Sequence, residues 1–91
     1  MRYAVSIAGQ FRKNIKKMQK RGFNLSLLDE IVEKVANREK LESKYRDHGL
    51  SGIYRGFREC HIKPDWLLLY LVDDEEQVIT LANTGTHSDL F

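Results

Sequence analysis

Seven consecutive apolar residues, Trp66-Leu67-Leu68-Leu69-Tyr70-Leu71-Val72, constrain this chain more than any other stretch. A strand that alternates apolar and polar residues needs one covered face, whereas a run apolar at every position needs both covered. Seven residues are too few to cross a bilayer as a helix, and turn-forming residues bracket them: Pro64-Asp65 before, Asp73-Asp74-Glu75-Glu76 after. The run is therefore expected to be the central strand of a sheet. Gly52 to Ile62 and Gln77 to Thr84 read as its neighbours, which gives a meander of three strands with short connections. Pro64 at the strand boundary costs the ladder no hydrogen bond.

The first half of the chain supplies the cover. Tyr3, Val5 and Ile7 alternate with smaller or polar residues, the period of a short first strand. Ile7, Phe11, Ile15 and Met18 then recur at helical spacing, with Ser6 as the expected N-cap and Gly22 as the stop. Asn24 caps a second helix, with Phe23 before it and Leu28 after it placed to form a hydrophobic staple, and Leu25, Leu28, Ile31, Val32, Val35 and Ala36 form its buried stripe. From Arg38 to Ser51 periodicity fades, leaving a loop with room for one helical turn that delivers Asp47-His48-Gly49 to the sheet. The order is β-α-α-β-β-β. This predicts an α+β fold, with two N-terminal helices packed on one face of a small, curved, largely antiparallel sheet, in a single domain over residues 1–91. A chain of this size buries only roughly 60–68% of the surface its unfolded form exposes, so any site is a shallow groove.

Charge is segregated along this framework. Residues 1–23 carry seven Lys and Arg and no acid, while residues 65–91 carry six acids and no Lys or Arg. Lys13, Lys16, Lys17 and Lys20 lie on the helix side away from the apolar stripe, where no acid offers an internal partner. That face suits the phosphates of RNA or an acidic protein. The single Cys60 cannot close an internal disulfide, and no stretch has the length of a membrane span or the apolar core of a signal peptide; the cytoplasm is the expected compartment.

The chemistry-bearing residues gather in the second half. His61 can act as acid or base near neutral pH, and Asp65, four residues on, can orient it, stabilise its cation or serve as a second base. His48 and His87 fall in two other connections. Zinc wants closely spaced ligand pairs, usually with thiolates, and this chain has one Cys; no metal or cofactor is expected. Strand alternation sets Cys60 and His61 on opposite faces, which argues against a Cys–His nucleophile. What remains is acid–base work on a polyanion. Cutting RNA this way takes a base for the ribose 2′-OH, an acid for the leaving 5′ oxygen, cations for the phosphorane and an aromatic surface for a splayed base. His48, His61, Asp65, His87, Arg58 and the other cations, and Trp66 or Phe91 could supply those parts.

Arg46-Asp47-His48, Leu50, Gly52, Arg58-Glu59-Cys60-His61-Ile62, Pro64-Asp65-Trp66-Leu67-Leu68, Tyr70, Thr84-Gly85-Thr86-His87 and Leu90-Phe91 together resemble the YafQ branch of the RelE/ParE toxin superfamily. Gly49 stands where many of its members have Pro after the first His. The resemblance implies a toxin of a type II toxin–antitoxin system, an endoribonuclease acting on mRNA in the ribosomal A site. It implies metal-free 2′-OH attack that leaves a 2′,3′-cyclic phosphate and a 5′-OH, with an antitoxin as inhibitory partner. By motif position its catalytic residues fall on His48, His61, Asp65 and His87, with Trp66 and Phe91 supporting. Within that set the expectation is His87 as general acid, and Asp65, or His61 oriented by it, as base. Two rival readings are a gyrase-inhibiting toxin of the ParE branch, which acts by binding, and a plain RNA-binding module.

Overall fold

The computed structural model describes residues 2–91. It contains strand β1 (Ala4–Ile7), helices α1 (Gly9–Lys20) and α2 (Leu25–Ala36), and a short strand β2 (His48–Gly49). These are followed by the meander β3 (Arg58–Lys63), β4 (Trp66–Asp73) and β5 (Val78–Gly85), and a last turn of helix, α3 (His87–Leu90). The sheet order is β1-β5-β4-β3-β2, antiparallel except where β1 runs parallel to β5. The expected α+β architecture and the central position of the apolar run are thus both observed. Trp66, Leu68 and Tyr70 of β4 join the core with Phe11 and Met18 of α1 and Leu28, Ile31 and Val35 of α2. Leu67 and Leu69 point to the other face and are buried there as well.

Local chemistry explains the element ends. The Asn24 side chain accepts the Ser26 N–H at 3.0 Å and starts α2 as expected. Gly22, at φ +88°, closes α1 in a Schellman arrangement, with Phe23 N–H on the Met18 carbonyl and Gly22 N–H on that of Gln19. Ser6 does not cap α1. It is paired with Thr80 inside β1, and the cap position falls to Ala8, whose N–H is held by the Leu81 carbonyl. For the same reason Ile7 belongs to an edge strand and is 46% exposed, outside the helix stripe that its spacing suggested.

The strand expected from Gly52 begins only at Arg58. Gly52 (φ +66°) and Gly56 (φ +95°) adopt left-handed backbone, which breaks extension and folds Gly52–Tyr54 into a 3₁₀ turn. The loop is closed by Leu50 N–H on the Phe57 carbonyl, so β2 can lie against β3 with His48 opposite Glu59. The Arg38–Ser51 loop holds the expected helical turn, a 3₁₀ segment at Ser43–Tyr45.

Candidate active site

On the sheet face away from the helices, pairing sets His48 beside Glu59, Glu59 beside Leu69, and His61 beside Leu67. Residues two apart on a strand share a face, so Glu59 and His61 stand side by side over a floor of Leu67 and Leu69. The buried Glu59 carboxylate has Oε1 3.2 Å from His61 Nε2 and 3.7 Å from His48 Nε2. Each ring is turned by its other nitrogen: His61 Nδ1 sits 3.3 Å from the Pro64 carbonyl and His48 Nδ1 2.6 Å from that of Arg46. A carbonyl only accepts, so both Nδ1 atoms carry hydrogen and the Nε2 atoms face the acid. Glu59 is the residue that chemical reading of the sequence missed; its i, i+2 spacing from His61 on a strand was the available signal.

Asp65 lies elsewhere than expected. It does not orient His61. Its Oδ1 accepts both the backbone N–H of His87, at 2.9 Å, and the ring Nδ1–H of His87, at 2.6 Å. The geometry fixes the tautomer and leaves His87 Nε2 free at a side chain that is 53% exposed. The two bonds hold the Asp65 carboxyl below the usual carboxylate range. Since the folded value is the lower one, the pair contributes stability above the ordinary carboxylate pKa of about 3.9 and loses it as pH falls through the depressed value. The rings of His61 and His87 approach to 5.6 Å between centroids. The result is a row: His48, Glu59, His61, His87, Asp65.

The tail that brings His87 here is built, not frayed. Thr86 and Asp89 form a reciprocal capping box, and Arg21 of α1 grips the Asp89 carboxylate through two nitrogens. The Arg21 guanidinium, then the Thr86 backbone, hold the Asp89 carboxyl well below its ordinary range. Phe91, 58% exposed, meets the Tyr54 ring edge-on at 5.3 Å, so a second aromatic that the sequence did not single out stands behind it.

Two expected supporting residues have other roles. Trp66 is fully buried, tilted against Phe23 at 5.1 Å, and its indole N–H donates to Thr84 Oγ1 at 2.9 Å; no base can stack on it. Arg58 lies on the helix side of the sheet with Tyr70, where it meets Asp47 at 3.3 Å. Strand alternation alone turns it away from Glu59 and His61. Cys60 is buried on that same side, and burial pushes its thiol up to about 12, so it stays protonated and inert. Lys13, Lys16, Lys17 and Lys20 are exposed along α1, and none forms an ion pair among the described residues.

Known proteins share this fold. The family model for the YafQ bacterial toxin of type II toxin–antitoxin systems matches residues 3–91. The chain is 34% identical over 88 residues, 96% of its length and 94% of the relative's, to the mRNA interferase toxin YafQ of Escherichia coli K12. Its fold superposes on the crystal structure of a metal-bound toxin from Helicobacter pylori with TM-score 0.92 and 40% identity, covering 98% of this chain and 99% of that one. It also superposes on the E. coli DinJ–YafQ toxin–antitoxin complex with TM-score 0.89 and 33% identity, covering 100% and 99%. Among the described residues no three His, Cys, Asp or Glu side chains are grouped to hold a metal ion. The carboxylates of the row are instead engaged by imidazoles. From residue 3 to its last residue, this chain belongs to the YafQ family of bacterial toxins from type II toxin–antitoxin systems.

Proposed function

We propose that the chain is an mRNA interferase that cleaves RNA by acid–base chemistry of its own side chains, with His87 as general acid and His61 as general base. The observation that carries this reading is the pair of separately anchored imidazoles, 5.6 Å apart, one on Asp65 and one against Glu59. His61 takes the proton of the ribose 2′-OH, and the 2′ oxygen attacks phosphorus. The bond from phosphorus to the 5′ oxygen breaks, and His87, as the imidazolium with its Nδ1–H on Asp65, gives that oxygen the proton of Nε2 and becomes neutral. The products are a 2′,3′-cyclic phosphate and a 5′-OH. Glu59 stabilises the imidazolium that forms at His61, and His48 shares the same carboxylate. Asp65, once a candidate base, is spent on aiming His87. Phe91, backed by Tyr54, offers the exposed aromatic edge for a neighbouring base.

The substrate is mRNA on the ribosome, and the unpaired lysines of α1 contact ribosomal or messenger phosphates. The regulating partner is a cognate antitoxin, as DinJ is for YafQ in the E. coli complex. No helix among the described residues is long and apolar enough to cross a membrane.

Primer extension on mRNA after brief induction should show discrete cuts with 5′-OH ends. DNA damage with intact mRNA would instead make the protein a gyrase inhibitor. Reversing the charges of Lys13, Lys16 and Lys17 to Glu should weaken ribosome association and flatten its dependence on salt. Each lost phosphate contact lowers the log–log slope by about 0.7–0.9; an unchanged slope would remove α1 from the interface.

A further inference from the structure

Arg21 sits at the C-cap of α1, and its guanidinium, although 44% exposed, is held by a carboxylate where the lysines before it form no ion pair among the described residues. Nη1 meets Asp89 Oδ2 at 2.6 Å and Nη2 meets Oδ1 at 3.1 Å, the bidentate fork that fixes direction as well as distance. Nη1 also lies 3.7 Å from Met18 Sδ, which seats the group against the core. The Asp89 carboxylate in turn accepts the Thr86 backbone N–H at 2.9 Å and the Thr86 hydroxyl at 3.0 Å. Thr86 Oγ1 faces the Asp89 N–H at 3.3 Å and completes the box. The next residue is His87. Asp65 holds its ring and its backbone N–H, and the helical turn that carries both is closed by this box.

A four-residue helix has no stability of its own, and a chain terminus frays unless it is tied down. Among the described residues, the only side chain from the body of the fold that grips the box is Arg21, 68 positions away in sequence. Lys17, one turn earlier, lines with Asp89 a cleft of about 140 Å³ but makes no ion pair with it. We infer that Arg21 is a positioning residue for His87: through Asp89 and Thr86 it holds α3 where His87 Nε2 faces the substrate. This rests on the reading of His87 as proton donor. It also divides the basic helix in two, with lysines for the polyanion and its last cation for the catalytic geometry.

The alternative is that Arg21 is one more phosphate contact, and the two roles predict opposite results. Arg21→Ala, Asp89→Asn and the double variant of the full chain would be compared in single-turnover cleavage of ribosome-bound mRNA, in ribosome binding across a salt series, and by imidazole NMR. Gly85→Ala adds a variant that keeps both charges, because a Cβ there would lie 2.8 Å from Asp89 Cβ and force it off the cap. Misplacing a catalytic group by about 1 Å can cost up to 10²-fold; each variant should lower the chemical step about tenfold, with binding and salt slope unchanged, and the double variant should be no worse than either single. The Asp65-bonded Nδ1–H signal of His87 should broaden or vanish in all of them. Weaker binding with a flatter salt slope and an intact chemical step in Arg21→Ala, or a wild-type rate in Asp89→Asn, would overturn the assignment. The NMR signal needs no substrate. If the wild type cuts no RNA yet loses that signal on Arg21→Ala, positioning stands and the nuclease reading falls; a signal unmoved by Arg21→Ala overturns positioning whatever the activity.

Discussion

Replacing His87 with alanine should lower the cleavage step by two to four orders of magnitude while the fold survives. General acids contribute roughly 10²–10⁴-fold, and His87 is the only imidazole of the row with a free Nε2 and half of its side chain in solvent. Its side chain lies half in solvent, so its removal should leave the unfolding midpoint close to that of the wild type. Single-turnover cleavage of ribosome-bound mRNA, beside a urea melt of the same preparation, checks both halves. Asp65→Asn is the instructive companion. It keeps an oxygen for the His87 N–H bonds but removes the charge that stabilises the imidazolium, so its loss should be smaller and pH-dependent. Wild-type cleavage by the alanine variant would remove His87 from the chemistry and leave the gyrase-inhibitor or RNA-binding reading to explain the toxin.

The largest effect on stability belongs to Trp66. Trp66→Ala should destabilise the fold by about 3–5 kcal/mol, the cost of emptying a well-packed core position of its largest side chain. Beyond volume, the variant removes the donor to Thr84 Oγ1 and the ring that packs on Phe23. For a domain whose total stability is about 5–15 kcal/mol, that loss leaves a marginal protein. Urea unfolding measures it directly. Trp66→Phe separates the two roles the residue could have: it keeps most of the packing, and Thr84 still donates to the Leu67 carbonyl at 2.7 Å. Cleavage per folded molecule should therefore match wild type. A large drop in rate without loss of stability would restore Trp66 to the substrate surface.

Local and periodic signals were enough for most of the fold. The apolar run from Trp66 to Val72, the α2 stripe, the Asn24 cap and the Gly22 stop each act within a few residues, and each is observed where the sequence put it; of the α1 stripe only Ile7 falls outside the helix. Errors came where neighbours in space override neighbours in sequence. Ser6 has the chemistry of a cap, but β5 recruits it into a parallel pair, and Gly52 and Gly56 break a strand that composition alone would extend. At the site, the four residues His48, His61, Asp65 and His87 do lie along one row, but their pairing differs from the expected one. Asp65 is four residues from His61 and 22 from His87, and it chose the distant partner because the turn after β3 and the cap of α3 converge at one end of the sheet.

The sequence by itself determined the elements, the fold class, the basic helix face and the inventory of acid–base groups, because hydrophobic period and residue chemistry are properties of short stretches. Only the tertiary structure decided which face each group occupies and whom it touches: that Arg58 and Trp66 turn inward, that Glu59 joins the histidines, and that Arg21 reaches Asp89. The physical reason is register. A strand reverses its side chains at every residue, so a group's role depends on a pairing set by bulges, turns and a capped tail far away in the chain.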